Sequence, residues 1–425
     1  MRPVLLSAVF AALSAFAADF PVGPAVRVPL KDYKPGQTPA EAMKTMSLPA
    51  GFKVTLVAAE PRVVQPIAMC FDEKGRLWVV EGMSYPRKRG EGKGRDRILI
   101  LDDVKGDGSY AKVTVFLEGL DLVSGIEVGH GGVWVGAAPE LMFIPKDAQD
   151  RPGKPEVVLD GWAMQDTHET LNSFTWGPDG WLYGCQGFAT RSTVGKPADG
   201  GKLFKKGEPF PEKIPVVDGQ YIDGGVWRYH PTKDRFEIVA HGFSNPWGLD
   251  FDDHGQMFIT ACVIPHLWHV IPGGIYHRQG GKHINPAIYD DIKTIADHSH
   301  RSAHGGARIY LADEFPREYR DRIFMANIHE HAVLTDKLVP KGSGFVGQHG
   351  DDTLLANDAA WVGFSIEIGP DGAIYVLDWH DGDICGNDVL NKDTARIQRV
   401  APKGLRGTAG LNLAAKSDLE LAALQ

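Results

Sequence analysis

Seven of the chain's 16 histidines fall between His266 and His304, and their spacing is that of ligands. In Asp297-His298-Ser299-His300 two imidazoles stand two residues apart, with His304 close behind. On an extended segment alternate side chains face one way, so His298 and His300 are placed to converge on one ion. The spacing returns in His329-Glu330-His331, expected on the strand that follows Phe324-Met325-Ala326. Asp378-Trp379-His380-Asp381-Gly382-Asp383 adds carboxylates and a further imidazole. Nitrogen and oxygen donors of this kind suit a divalent metal (calcium, zinc or manganese), although calcium prefers oxygen. The metal-ligand candidates are therefore His298, His300, His304, His329, His331, Asp378 and His380. The plainer alternative is a polar funnel of hydrogen-bonded loop histidines.

A second constellation suits proton transfer. His168-Glu169-Thr170-Leu171-Asn172 runs through Trp176 into Gly177-Pro178-Asp179-Gly180. At the start of an inner strand, a neutral imidazole at His168, oriented by Glu169 or another carboxylate, is suited to general-base work near neutral pH. His168, Glu169 and Asn172 form the candidate catalytic set, weighed against a turn histidine bonded only to backbone. The run Asp102-Asp103-Val104-Lys105-Gly106-Asp107-Gly108 hints at a calcium loop but lacks its full acid pattern, so a hairpin turn is the favoured reading. P-loop, nucleophile-elbow and His-Glu-x-x-His patterns are absent, which weighs against phosphotransferases, serine hydrolases and metallopeptidases.

The elements that must carry these residues announce themselves by repetition. A turn of Asp and Gly followed by an alternating apolar strand with an aromatic recurs at Phe71–Val79, His130–Val135, Gly177–Tyr183, Asp253–Ile259 and Gly369–Val376. Tyr319–Met325 occupies the remaining slot in degenerate form, making six units over roughly Leu48 to Val400. Each unit reads as a hairpin whose Gly accepts positive φ. One small sheet cannot bury both faces, so successive sheets stack around an axis. The fold class expected is all-β, a six-bladed β-propeller. Short helices are expected only over Ala40–Met46 and Ser417–Leu424.

Composition agrees with many tight turns. The 425 residues include 50 Gly and 28 Pro, with 43% apolar and 23% charged residues. A formal charge of −9 argues against a nucleic-acid or anionic-membrane partner. Met1-Arg2, the apolar run Pro3–Ala17 and the Ala15-Phe16-Ala17 site read as a cleaved secretory signal, placing the mature protein in the periplasm or outside the cell. No other stretch approaches eighteen apolar residues, so no integral span is expected. The expected organisation is a signal over 1–17, an extension over 18–47, the propeller over 48–403 and a tail over 404–425. Cys70, Cys185, Cys262 and Cys385 form no C-x-x-C pair, leaving both disulfides and buried thiols open.

From Leu48-Pro49-Ala50-Gly51-Phe52 to Ile397-Gln398-Arg399-Val400, the chain resembles the propeller domain of planctomycete and verrucomicrobial membrane-bound dehydrogenase proteins. These are similar to soluble quinoprotein glucose and sorbosone dehydrogenases. The resemblance is carried by His168 to Gly187, by Gly242-Phe243-Ser244-Asn245-Pro246-Trp247-Gly248-Leu249 and by Ile368-Gly369-Pro370-Asp371-Gly372-Ala373-Ile374-Tyr375. It implies an oxidoreductase acting on a sugar or related alcohol, with pyrroloquinoline quinone as cofactor and an electron acceptor as partner. In that superfamily a histidine just before the third-blade Gly-Pro-Asp motif takes the hydroxyl proton while hydride passes to the quinone, and His168 is similar in placement. A cationic Arg commonly precedes the Asn-Pro pair, where this chain has Ser244. Longer relatives show Trp-Phe-Arg-Pro before the last blade, where this chain reads Trp361-Val362-Gly363-Phe364. Both departures remove positive charge from the surroundings of a tricarboxylate. Asn245, with Arg301 and Arg308 beside His304, remains as the cofactor-binding candidate set. The haem-attachment module of longer relatives has no counterpart here.

The leading expectation is an extracytoplasmic sugar or alcohol dehydrogenase-like propeller with His168 as base. The alternatives are a metal-dependent carbohydrate lyase or hydrolase using the late histidine and aspartate clusters, or a non-catalytic propeller that binds glycan or protein. The missing guanidinium groups favour a divalent metal over tightly bound quinone.

Overall fold

The computed structural model describes residues 37–86, 94–198, 214–263, 265–278, 290–382 and 389–424. The expected signal (1–17), most of the expected extension, His283, Asp383 and Cys385 lie outside the described residues.

The Asp-Gly phrases are the turns between the first and second strands of successive sheets. In the phrase around Asp72, Gly75 N–H donates to the Asp72 carbonyl and Asp72 N–H to the Arg76 carbonyl. Gly177, Gly180 and Trp181 repeat this pattern, as do Gly369, Gly372 and Ala373. Gly180 closes its turn at φ +78°. The recurring aromatic locks the turn from inside. Trp78 Nε1 donates to Asp72 Oδ2 at 2.9 Å, Tyr183 Oη to Asp179 Oδ2 at 2.8 Å, and Tyr375 Oη to Asp371 Oδ2 at 3.2 Å. In the degenerate copy Asp321, at φ +63°, takes the glycine's place.

Six antiparallel sheets result. Blade 1 comprises Pro66–Phe71, Leu77–Glu81, Asp96–Val104 and Tyr110–Leu120, and blade 2 comprises Val123–Gly129, Gly132–Ala137, Glu140–Pro145 and Glu156–Leu159. Blade 3 comprises Asn172–Trp176, Leu182–Gln186, Gly225–His230 and Arg235–His241, and blade 4 comprises Pro246–Phe251, Met257–Ala261 and Leu267–Val270. Blade 5 orders His304–Ile309, Arg322–Asn327, Ala332–Lys341 and Gly344–His349. Blade 6 joins Gly363–Ile368, Ile374–Asp378 and Arg396–Pro402 to Phe52–Ala59 from the other end of the chain. A ribbon of Ser192–Pro197 and Val216–Ile222 stands outside the blades. The first strands touch one another in cyclic order, from blade 1 through blade 6 and back to blade 1. The protein is a six-bladed β-propeller.

Apolar faces are buried between blades. Val57, Val79, Leu99, Leu377 and Ile397 pack between blades 6 and 1. Trp134, Trp162, Trp227 and Tyr229 fill the space between blades 2 and 3. Gly184 lets the Trp227 indole lie flat on its strand, because a Cβ there would stand 2.3 Å from Cζ2 of Trp227. At the seam of blade 6, buried Arg396 binds Asp358 at 3.5 Å and Glu60 at 3.2 Å. Residues 105–109 form the hairpin turn expected there, with Lys105 N–H donating to the Ser109 carbonyl. The helices are Pro39–Thr45, capped by Thr38 and Glu41, and Asp418–Ala422, capped by Ser417. Cys70 and Cys185 are buried thiols.

The Asp-Gly turns gather at one end of the ring. First strands begin, and second strands finish, at the opposite end. That second end carries the site.

Candidate active site and candidate metal centre

A cavity of about 300 Å³ opens there, at the lower end of the range for small-molecule sites. Tyr85, Trp247, Phe364 and Trp379 give it an aromatic wall, and His168, Asn245, Cys262 and His329 line it with polar atoms. Trp247 and Phe364 meet edge to face at 4.4 Å, and Tyr85 meets Trp379 in the same way at 5.7 Å. Every blade contributes to this lining, through residues next to the start of a first strand or the end of a second.

His168 lies in a 3-10 turn, Thr167–Glu169, ahead of the inner strand rather than on it. Asp166 caps that turn: its Oδ1 accepts from His168 N–H at 2.9 Å and lies 2.7 Å from His168 Nδ1. A proton on Nδ1 is thereby held toward the carboxylate, leaving the Nε2 lone pair available. The bond from His168 holds the Asp166 carboxyl below the ordinary carboxylate range. Trp247 Nε1 and Asn245 Nδ2 both donate to the His168 carbonyl, at 2.8 and 3.3 Å, and fix the turn against blade 4. Tyr85 packs edge-on against the imidazole at 5.7 Å.

The orienting carboxylate is thus Asp166. Glu169 turns away, accepts from Ala189 N–H at 2.6 Å and is pushed up to about 7 by burial. Asn172 is fully buried, donating to the Thr170 carbonyl and accepting from Ser173 Oγ, and it does not line the cavity. An Asp-x-His pattern at 166–168 was the available signal for the dyad.

The histidine clusters separate. His298 and His300, on the extended segment before blade 5, bring their Nε2 atoms within 3.0 Å of each other. Both face Asp336 Oδ1, at 3.2 and 3.4 Å, and His266 Nε2 reaches Asp336 Oδ2 at 2.8 Å. Asp336 and His266 are fully buried. Burial alone would raise the Asp336 carboxyl, but the bonds from His266, His298 and His300 hold it well below the usual range. The bond to Asp336 lifts His298 to about 9. All four donor atoms lie within 4.8 Å of one another. His304 stacks on His266 at 4.8 Å, with Nε2 3.2 Å from Asn327 Nδ2.

The remaining candidates go elsewhere. Residues 328–331 form a turn, not the expected strand, and His331 sits at φ +51°. The left-handed step breaks the alternation: His329 lines the cavity, while His331 Nδ1 bonds the Trp361 carbonyl at 2.7 Å. Burial lowers both imidazoles. Asp378 accepts from Val362 N–H at 2.8 Å and His380 N–H at 2.9 Å, and His380 Nδ1 meets Arg396 at 2.9 Å. Both residues belong to the blade 6 seam. Arg308 forms a two-pronged pair with Glu367, at 2.8 and 2.6 Å, beneath the cavity on the ring axis. Arg301 is exposed, its N–H donating to Glu330 at 3.0 Å. Sequence spacing missed His266 and Asp336 as partners of His298 and His300. A lone carboxylate inside the apolar run Ala332–Leu338 was the signal for the latter.

A family model described as a domain of unknown function, DUF7133, matches residues 38–406. The chain belongs to this family. Among curated protein sequences none matches it. The DUF7133 propeller is similar in fold to a Thermus thermophilus protein assigned as an oxidoreductase (glucose dehydrogenase), at 18% identity and a TM-score of 0.54, covering 82% of this chain and 100% of that one. It is also similar to a Trichoderma reesei carbohydrate-active enzyme of family AA12 (10% identity, TM-score 0.52, 84% and 97% covered). A third similar structure is the PQQ domain of Coprinopsis cinerea pyranose dehydrogenase in its holo form (12% identity, TM-score 0.51, 84% and 97% covered). The DUF7133 domain therefore has a sugar-dehydrogenase-like propeller fold. Among the described residues no helix is long and apolar enough to cross a membrane.

Pyrroloquinoline quinone is a tricarboxylate that calls for cationic partners, and the described donor set does not suit it. Among the described residues that line the cavity there is no Lys or Arg, while Asp166 and Glu169 are acidic. Ser244 is buried beside Asn245, and Arg308 is held by Glu367.

Proposed function

We propose that this domain oxidises a hydroxyl group of a sugar or related alcohol in the aromatic cavity, with His168 as general base, in an extracytoplasmic compartment. The observation that carries the reading is the Asp166–His168 pair at 2.7 Å in the wall of the cavity. Aromatic rings offer flat apolar surfaces to the C–H faces of a sugar, while His168, Asn245 and His329 offer polar atoms to its hydroxyls. The hydroxyl proton passes to His168 Nε2, and Asp166 steadies the imidazolium that forms. The hydride on the same carbon needs a two-electron acceptor seated beside it. Among the described residues the lining carries no cation, which favours an uncharged planar acceptor. The compartment is argued from the apolar run Pro3–Ala17 and its Ala-x-Ala site.

None of His266, His298, His300 and Asp336 lines the cavity, so the geometry gives no support to a metal-dependent lyase or hydrolase acting there. The test is dye-linked oxidation of a panel of sugars and alcohols by the wild type and by His168→Ala. The expected result is turnover that falls by about 10²–10⁴-fold in the variant. Equal turnover in both proteins, or no oxidation by the wild type with uncharged quinone or dye acceptors, would overturn the reading. N-terminal sequencing of exported protein should begin at Ala18 or Asp19, and an intact Met1 in the cytosol would count against export.

A further inference from the structure

We propose that His266, His298, His300 and Asp336 hold one zinc ion, which fastens the segment between blades 4 and 5 and thereby the adjoining wall of the cavity. Two Nε2 atoms at 3.0 Å form either a donor–acceptor pair or two corners of one coordination shell. Here a third imidazole and a carboxylate complete the corners. Zinc bonds of about 2.0–2.1 Å place tetrahedral ligand atoms roughly 3.3 Å apart. The contacts His298–His300, His298–Asp336 and His300–Asp336, at 3.0, 3.2 and 3.4 Å, match such edges. His298 Nδ1 lies 3.1 Å from Asp297 Oδ1, the carboxylate–imidazole relay that turns the other nitrogen's lone pair toward a metal. Three imidazoles and one carboxylate suit zinc and disfavour calcium or magnesium, which take oxygen shells. Four protein ligands also close the tetrahedron, as in structural sites.

The ligands come from three places. His266 precedes the third strand of blade 4, Asp336 lies on the third strand of blade 5, and His298 and His300 belong to the connection between these blades. Between Asp291 and Ala303 that connection forms no continuous ladder: it makes isolated bridges, Tyr276 to Ile292 and Ala296 to Gly347, and single bonds such as Ile295 N–H to the Leu267 carbonyl and Arg301 N–H to Glu330. It then delivers Ala303 to the cavity wall and His304 to the first strand of blade 5. An ion at this point holds the connection to both blades. The role does not depend on the oxidation proposed above.

The experiment is metal analysis of the intact protein purified without added metal, then chelation and reloading with cobalt. The expected result is one equivalent of zinc and an intense tetrahedral cobalt spectrum. Both should be lost in His300→Ala and in His298→Ala, and kept in His254→Ala, an exposed histidine of blade 4. Chelation should also lower the melting temperature and open the 291–303 connection to proteolysis. Little bound metal with no cobalt spectrum, another ion on the same ligands, or full zinc in the His298→Ala/His300→Ala double variant would overturn the assignment. Because His298 and His300 are on the partly exposed side of the group, their truncation spares the buried His266 and Asp336. Circular dichroism of the double variant separates loss of the ion from loss of the fold.

Discussion

Replacing Asp166 by Asn changes one atom of the side chain and, on the present reasoning, most of the chemistry. In the native protein Asp166 Oδ1 accepts from His168 N–H at 2.9 Å and faces His168 Nδ1 at 2.7 Å. Asn caps a helical turn about as well as Asp, so the backbone bond and the fold survive. The same Oδ1 serves both nitrogens, so an Asn in the same pose still accepts from Nδ1 but brings no negative charge to the imidazolium. The tautomer is kept, and what is lost is the charge that steadies His168 once it has taken the proton. A positioned general base contributes about 10²–10⁴-fold. Since the dyad is more than a third exposed and its acceptor atom remains, the lower end of that range, near 10²-fold, is expected, equivalent to about 2.7 kcal/mol at ~1.36 kcal/mol per decade. Two measurements apply: kcat/KM in the dye-linked assay, and nitrogen NMR of labelled histidine, which reads the tautomer without any substrate. An Asp166→Asn protein within about threefold of wild type, or one whose proton has moved from Nδ1 to Nε2, would refute the argument.

Other perturbations test the frame. Arg308→Leu strips Glu367 of its partner beside half-buried Asp250 and should cost about 3–5 kcal/mol in urea unfolding, much of it recovered by adding Glu367→Leu. Burial pushes the Asp96 carboxyl up to about 7, so the native state keeps a proton that the unfolded chain releases near pH 4. The Asp96 contribution to stability should therefore be fully present below about pH 4 and fall by about 4 kcal/mol as pH rises to 7, and Asp96→Asn should remove that part of the pH dependence. Gly180→Ala meets open space and should cost only the ~1–2 kcal/mol of a left-handed residue, whereas Gly184→Ala drives a methyl into Trp227 and should cost clearly more.

The ring was legible because each blade repeats the same local solution. An Asp-Gly turn, an alternating strand and an aromatic that bonds back to the Asp are short-range features that leave a phrase in the sequence. His298 and His300 were legible for the same reason, being neighbours on one extended segment. Their partners were not, because His266 and Asp336 arrive from two other blades and only the closed ring brings them together. His329 and His331 share the spacing of His298 and His300 yet diverge, since one residue at positive φ cancels a strand's alternation. The aromatic wall was equally hidden. Tyr85, Trp247, Phe364 and Trp379 come from blades 1, 4 and 6, and each looks like an ordinary core residue in its own segment.

The seam of blade 6 has a consequence for how the molecule is made. Phe52 pairs with Pro402 and Ala59 with Arg396, so the first strand of the described residues is partnered by the last, over 300 positions later in the chain. Blades 1 to 5 can assemble in the order of synthesis, but Phe52–Ala59 waits with open hydrogen-bonding edges until Arg396–Pro402 has been made. Such long-range pairing makes closure the slow step of folding and the interval before it the period of greatest risk from aggregation. Nascent chains arrested before Arg396 should therefore be held by chaperones and cut by proteases, and extension through Pro402 should end both susceptibilities in a single step.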